Sequence, residues 1–269
     1  MKRILAIVLA VAMIASVAVL AGCGNKASNT TETTIATEPA SAKGKLTMAT
    51  NAYFPPYEYY EGEKIVGIDA DVAKAIADKL GMELEIVDIE FDSIIAGVQT
   101  GKYDMGMAGM TVTEERLKSV DFSTPYAKGI QSVIVTENSP IKSIDDILAK
   151  DAAYKVGVQL STTGDIYITD DLGDAAAERV TEFQTGNDAV AALSSGKVDA
   201  VIIDNEPAKS YVAATAGLKI LDTEYVSEDY AICFAKSNTE LKDKVNAALE
   251  ELIKDGTVKS IVDKYITAK

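Results

Sequence analysis

The chain has 269 residues, 48% of them hydrophobic, enough for one or two compact domains with a real core and too apolar for a disordered tail. Its formal net charge of −15 repels nucleic acid and anionic lipid headgroups, so no nucleic-acid partner is expected. The absence of histidine removes the commonest general base and the commonest transition-metal ligand; no catalytic residue, metal site or cofactor is assigned.

Residues 1–22 read as a signal peptide: Lys2 and Arg3 lead an apolar run from Ile4 to Leu20, closed by "LAGC". The alternative is a single membrane span, for which the run is short. "LAGC" resembles a bacterial lipobox, which implies cleavage before Cys23 and lipidation of its thiol; two or more acyl chains would anchor the protein without spanning the bilayer. Cleavage removes two positive charges, Lys2 and Arg3, and takes the net charge from −15 to −17. Residues 23–43 are then a lipid-anchored flexible linker, rich in Thr, Ala and Ser without apolar period, with an end-to-end distance of roughly 25 Å. Only Cys233 remains besides Cys23, so no intramolecular disulfide is available.

From Lys45 onward strands and helices alternate, which predicts an α/β architecture. "KLTMAT" is the first strand. Val72, Ile76 and Leu80 at i, i+4, i+8 predict a helix over 69–80, with Asp69 placed to cap its start and Gly81 its end. "MELEIVDI" alternates as a strand, 92–100 form a short helix, and "KYDMGMAG" is a strand. Further on, "YAICFAK" alternates as a strand that makes Cys233 a small core residue.

Residues 97–109, "GVQTGKYDMGMAG", align without gaps to 192–204, "ALSSGKVDAVIID", so that Gly101, Lys102 and Asp104 match Gly196, Lys197 and Asp199. A helix end followed by glycine is common by itself, and the match is short. A genuine repeat makes two similar lobes, with Gly109 and Asp204 at equivalent strand ends. Ligands of open α/β sheets bind beyond those ends, so facing lobes would share one cleft.

Three groups could hold a ligand there. "TVTEER" puts Glu114 three residues after Thr111, the spacing of a capping box, and a helix start with Arg116 a turn further in favours a carboxylate; the plain alternative pairs Arg116 with a neighbouring acid such as Asp121. "VGVQLSTTGD" turns through Ser161, Thr162, Thr163 and Gly164, whose amides suit an anion. Asp204 either accepts an ammonium or, like Asn205, caps a helix beginning near Pro207. The rings of "NAYFPPYEYY" and Phe91 could sandwich an aliphatic stem or pack over a lobe core. Together the groups suit a zwitterion with the shape of an amino acid.

"NAYFPPYEY", "GIDADVAKAIADKLG", "IIAGVQTGKYDMGMAGMTVTEERLKSVDFSTPY" and "KVGVQLSTTGD" together resemble the family 3 extracellular solute-binding proteins of ATP-driven amino-acid importers, from about Lys45 to the C-terminus. The resemblance implies a two-lobe periplasmic-binding-protein-like (type II) fold joined by two hinge strands, near Tyr126 to Gln131 and near Ser227 to Tyr230. Lobe 1 would be 44–127 with 230–269, and lobe 2 would be 128–229. It implies that Arg116 and the N–H groups of Thr111 and Thr163 take an α-carboxylate, and that Asp204, the Gly109 carbonyl and the Thr111 hydroxyl take an α-ammonium. Phe54 and Phe91 match stacking positions, and Asn51, Asp69 and Gln159 match positions near the ligand side chain. Ser161 departs from a frequent glycine. Asn51 departs from the aspartate of members that bind cationic amino acids, which tilts the expectation towards glutamine while Asp69 leaves arginine and lysine open. The implied protein is a monomer, not an enzyme, held by its lipid outside the cell membrane or in the periplasm, with an ABC permease as partner. A dehydratase of the same fold, using Asp69 or Glu58 as acid, and an amino-acid sensor for a receptor are the alternatives.

Overall fold

The computed structural model describes residues 44–222 and 224–266; the expected signal peptide, Cys23 and the linker lie outside the described residues. Two sheets organise the chain. In the first, strand Lys45–Thr50 lies between Glu83–Asp88 and Met105–Gly106 and is parallel to both, and Cys233–Ala235 and then Val120–Phe122 extend it antiparallel. In the second, Val156–Gln159 lies between Val180–Phe183 and Ala200–Asp204, again parallel to both. Of the three parallel strands in each sheet, the earliest in sequence therefore lies in the middle, with the two later ones on either side. Parallel strands need helices on both faces, and Leu46, Met48, Val156 and Val158 are fully buried accordingly. Each such side chain contributes about 1.5–3 kcal/mol relative to exposure.

The repeat is structural as well as sequential. Gly101 and Gly196 both end a helix at positive φ, 71° and 73°. The N–H groups of Lys102 and Lys197 then donate back to Gly97 and Ala192 at 3.0 and 2.9 Å. The carboxylate of Asp104 accepts the Thr47 N–H at 2.7 Å, and that of Asp199 accepts the Lys155 N–H at 2.7 Å. In each lobe the aspartate thus ties the entrance of the third strand to the entrance of the first. The shared Gly-Lys-x-Asp motif is a clamp between neighbouring strands.

The lobes are joined by Ala127–Thr136 and Val226–Tyr230, which pair antiparallel from Ala127 opposite Tyr230 to Gln131 opposite Val226. Glycine is required at position 129 within this ladder, because a Cβ there would collide with the Tyr230 hydroxyl. No described helix is long and apolar enough to cross a membrane.

Several local expectations change. Helix Ile68–Leu80 starts at Gly67, not at Asp69, whose carboxylate is turned inward and fully buried. The capping threonine of helix Glu114–Ser119 is Thr113, its hydroxyl accepting the Arg116 N–H at 3.1 Å; Thr111 instead forms a β-bridge with Tyr230. The strand expected over 102–109 shortens to Met105–Gly106, because the Gly101 turn and Asp104 clamp occupy its beginning. "YAICFAK" is not one alternating strand: Tyr230 ends the hinge ladder, Cys233 begins a strand of the first sheet, and 230–234 are all fully buried where the chain crosses between them.

Candidate functional site

The strand ends of both lobes meet in one pocket lined by Asn51, Phe54, Glu58, Phe91, Ala108, Gly109, Thr111, Arg116, Gln159, Thr162, Thr163 and Asp204. Of the ligand residues expected from sequence, all line it except Asp69. Ala108 was not anticipated, Thr162 was expected only as part of the anion-binding turn, and Glu58 only as the acid of the dehydratase alternative.

Arg116 is buried at 7% exposure, and its guanidinium lies 5.4 Å from the centre of the Phe91 ring. Its two terminal nitrogens donate to carbonyls of different lobes, Thr111 at 2.8 Å and Ser161 at 3.0 Å. The fork is therefore held in plane at the junction of the walls, and burial lowers its pKa without a carboxylate bound to it. Asp121, the alternative partner, pairs with Lys236 and Lys242 at 3.3 and 3.4 Å instead.

Opposite Arg116, helix Thr163–Leu172 begins with Thr162 as its cap. First-turn N–H groups of a helix have no partner within it, so that of Thr163 is available at the pocket wall. The preceding Ser161 takes the left-handed conformation, φ 63°, and its N–H donates to Asp165 at 2.9 Å. A serine here accepts the geometry that glycine adopts freely, and the bond to Asp165 helps to hold it. The hydroxyls of Thr111 and Thr163 lie 3.4 Å apart across the cleft.

Asp204 ends strand Ala200–Asp204 and precedes helix Asn205–Ala214, which starts two residues before Pro207. Its side chain makes no capping bond and accepts the Tyr230 hydroxyl. Across the strands Gln131 stands opposite Asp204, and the Gln131 amide donates to Glu228 at 2.9 Å. Burial, reinforced by the charge of Glu228, pushes Asp204 up to about 7, against the opposing effect of the Tyr230 and Gln131 donors. An approaching cation would restore its charge.

Gly109 has φ 51°, and a Cβ there would sit 2.9 Å from the Phe54 ring, so glycine lets backbone and ring meet at the pocket floor. Behind it Asp69 accepts the Gly109 N–H at 2.9 Å and the Tyr126 hydroxyl at 2.8 Å. Asp69 therefore positions the floor without facing the pocket. At the remaining end, the Gln159 amide donates to Asn51 at 3.0 Å, and Asn51 donates to the Ile89 carbonyl at 2.9 Å. Beside them Glu58 is buried at 1% exposure with Oε2 unpartnered, and burial together with the neighbouring Asp69 raises its pKa well above the usual carboxylate range. Among the described residues no group of three His, Cys, Asp or Glu is placed to hold a metal.

Two α/β lobes on paired hinge strands, with a pocket between them that has a guanidinium at one wall and a carboxylate at the other, define the architecture of a two-lobe solute-binding protein. The profile of the bacterial extracellular solute-binding proteins, family 3, matches residues 46–268, and the chain belongs to that family. The arginine-binding extracellular protein ArtP of Bacillus subtilis (strain 168) is 34% identical over 236 residues, covering 85% of this chain and 89% of ArtP. Among solved structures, an ancestral arginine-binding protein bound to arginine superposes with TM-score 0.77 at 43% identity, covering 84% of this chain and 100% of the other. The structure described as that ancestral protein bound to glutamine gives TM-score 0.76 at 42% identity, covering 84% and 99%.

Proposed function

We propose that the protein captures a free amino acid with a basic side chain, arginine foremost, by closure of lobe 1 (44–127 and 230–269) on lobe 2 (128–229), and delivers it to an ABC permease. The observation that carries this reading is Glu58. Once Arg116 is given to the α-carboxylate and Asp204 to the α-ammonium, one buried carboxyl with an unpartnered oxygen still faces the pocket. A guanidinium is the side-chain group whose planar donors best satisfy it. The arginine named in the relatives supports the same choice.

In this reading the Thr111 and Thr163 N–H groups join Arg116 on the carboxylate. The Gly109 carbonyl and Thr111 hydroxyl join Asp204 on the ammonium. Phe54 and Phe91 flank the aliphatic stem, and Asn51 and Gln159 reach the side-chain end with Glu58. Asp69 does not touch the ligand: it holds the Gly109 N–H and stands behind Glu58. The role is binding rather than turnover, by a monomer held outside the membrane by lipid on Cys23 after removal of residues 1–22.

Glutamine is the second reading, favoured by the neutral Asn51–Gln159 pair. Titration calorimetry with arginine, lysine, glutamine and citrulline separates the two. Arginine should bind tightest; glutamine binding tenfold tighter than arginine would overturn the first reading in favour of the second.

A further inference from the structure

The Glu58 and Asp69 carboxyls are buried at neighbouring places, and Glu58 lines the pocket. Backbone bonds fix their approach: the Ile68 N–H donates to the Pro56 carbonyl at 3.0 Å and the Asp69 N–H to the Tyr57 carbonyl at 2.9 Å, so the start of helix Ile68–Leu80 is laced to the strand that carries Glu58. Both carboxyls are buried, at 1% and 0% exposure, and the charge of Asp69 acts on Glu58. Asp69 already accepts from Gly109 and Tyr126, whereas Glu58 Oε2 has no donor. Two neighbouring carboxylates held away from water cannot both be ionised at modest cost, and a single proton between them is the usual resolution.

The other groups acting on Glu58 do not offer a counter-charge. They are Asp204 from strand Ala200–Asp204 and Asp88 from strand Glu83–Asp88. The phenols of Tyr57 and of Tyr211, on helix Asn205–Ala214, also feel its charge, and Tyr126 reaches it through Asp69. Arg116 lines the same pocket but spends two donors on the Thr111 and Ser161 carbonyls. The missing cation would have to come with the ligand.

We propose that Glu58 and Asp69 share one proton, and that a cationic side chain seated on Glu58 expels it, so that capture of arginine releases a proton that capture of a neutral amino acid does not. The inference rests on the basic-ligand reading above. The Glu58 O–H bond breaks, its proton passes to solvent buffer, and the guanidinium N–H groups take its place on the two oxygens. Charge is conserved: one positive ligand enters and one proton leaves.

Calorimetry on the unaltered protein in buffers of differing ionisation enthalpy tests this, with arginine against citrulline, which has the same length and an uncharged ureido end. Both ligands present the same α-groups, so proton exchange at Asp204 cancels in their difference. Between pH 5 and 8 arginine should release up to one proton more than citrulline, and the arginine-to-citrulline affinity ratio should rise by up to about tenfold per pH unit where that release occurs. Glu58→Gln should abolish the difference, and Asp69→Asn should shrink it, because burial then holds the proton on Glu58 without help from the acidic neighbour. Arginine preference with equal proton release for both ligands overturns the shared proton and leaves the basic-ligand reading standing. Equal affinity and equal release at every pH overturn both.

Discussion

Replacing Arg116 by alanine should weaken binding of every accepted amino acid, because the side chain meets the part they have in common. Arg116 is 7% exposed and held in plane by the Thr111 and Ser161 carbonyls, so its contact to a carboxylate would be desolvated and charge-assisted. Removing one partner of a buried, hydrogen-bonded charge pair costs about 2–5 kcal/mol. At about 1.4 kcal/mol per tenfold, that is a loss of roughly thirty-fold to several thousand-fold in affinity. The same guanidinium also ties the lobes through the Ser161 carbonyl, so part of the loss could be structural. Agmatine, which is arginine without its carboxylate, separates the two contributions. Calorimetry should show arginine binding collapsing in Arg116→Ala while the weak binding of agmatine changes little. Unchanged arginine affinity, or an equal loss for both ligands, would refute the carboxylate assignment.

Asp204→Asn should weaken all amino acids strongly, again by calorimetry. It should also change unliganded stability in a pH-dependent way. The folded value of about 7 lies above the unfolded value of about 4, so the ionisation penalty is absent below the unfolded value and fully present above the folded one. Melting temperature relative to wild type should therefore rise as the pH goes from 5 to 8, and a difference that stays flat would show that Asp204 is not perturbed. Asn51→Asp should shift preference towards arginine and lysine over glutamine by about tenfold, the effect of one added charge near the side-chain end; an unchanged rank order across a panel of free amino acids would remove that role. Gly129→Ala should cost about 1–3 kcal/mol by forcing Tyr230 away from the hinge ladder, read as a fall in denaturation midpoint.

The parts of the molecule legible in the sequence are those built from local chemistry. Gly101, Lys102 and Asp104 predicted a duplicated turn because glycine, strand entrance and clamp fall within four residues, and the structure adds the bonds from Thr47 and Lys155 that give the aspartates their purpose. Arg116, Thr163 and Asp204 were likewise visible at element ends. Glu58 was named only as the acid of the dehydratase alternative and not as a ligand contact, because it sits among tyrosines and prolines read for their rings. An acid between Tyr57 and Tyr59 in an apolar stretch was the available signal. Asp69 was misplaced for the opposite reason: its spacing suited a helix cap, while its burial comes from Gly109 and Tyr126, which are 40 and 57 residues away. Gln131 and Glu228, separated by 97 residues, meet only because two distant strands pair, and no local pattern announces that.

That pairing governs how the jaws can move. Because the two crossings run side by side in one hydrogen-bonded ladder, from Ala127 opposite Tyr230 to Gln131 opposite Val226, they act as a two-ply leaf spring instead of two independent strings. Such a spring flexes readily about one line and resists shear and torsion, so the halves swing together on a repeatable arc and each closure returns the same side chains to the same places.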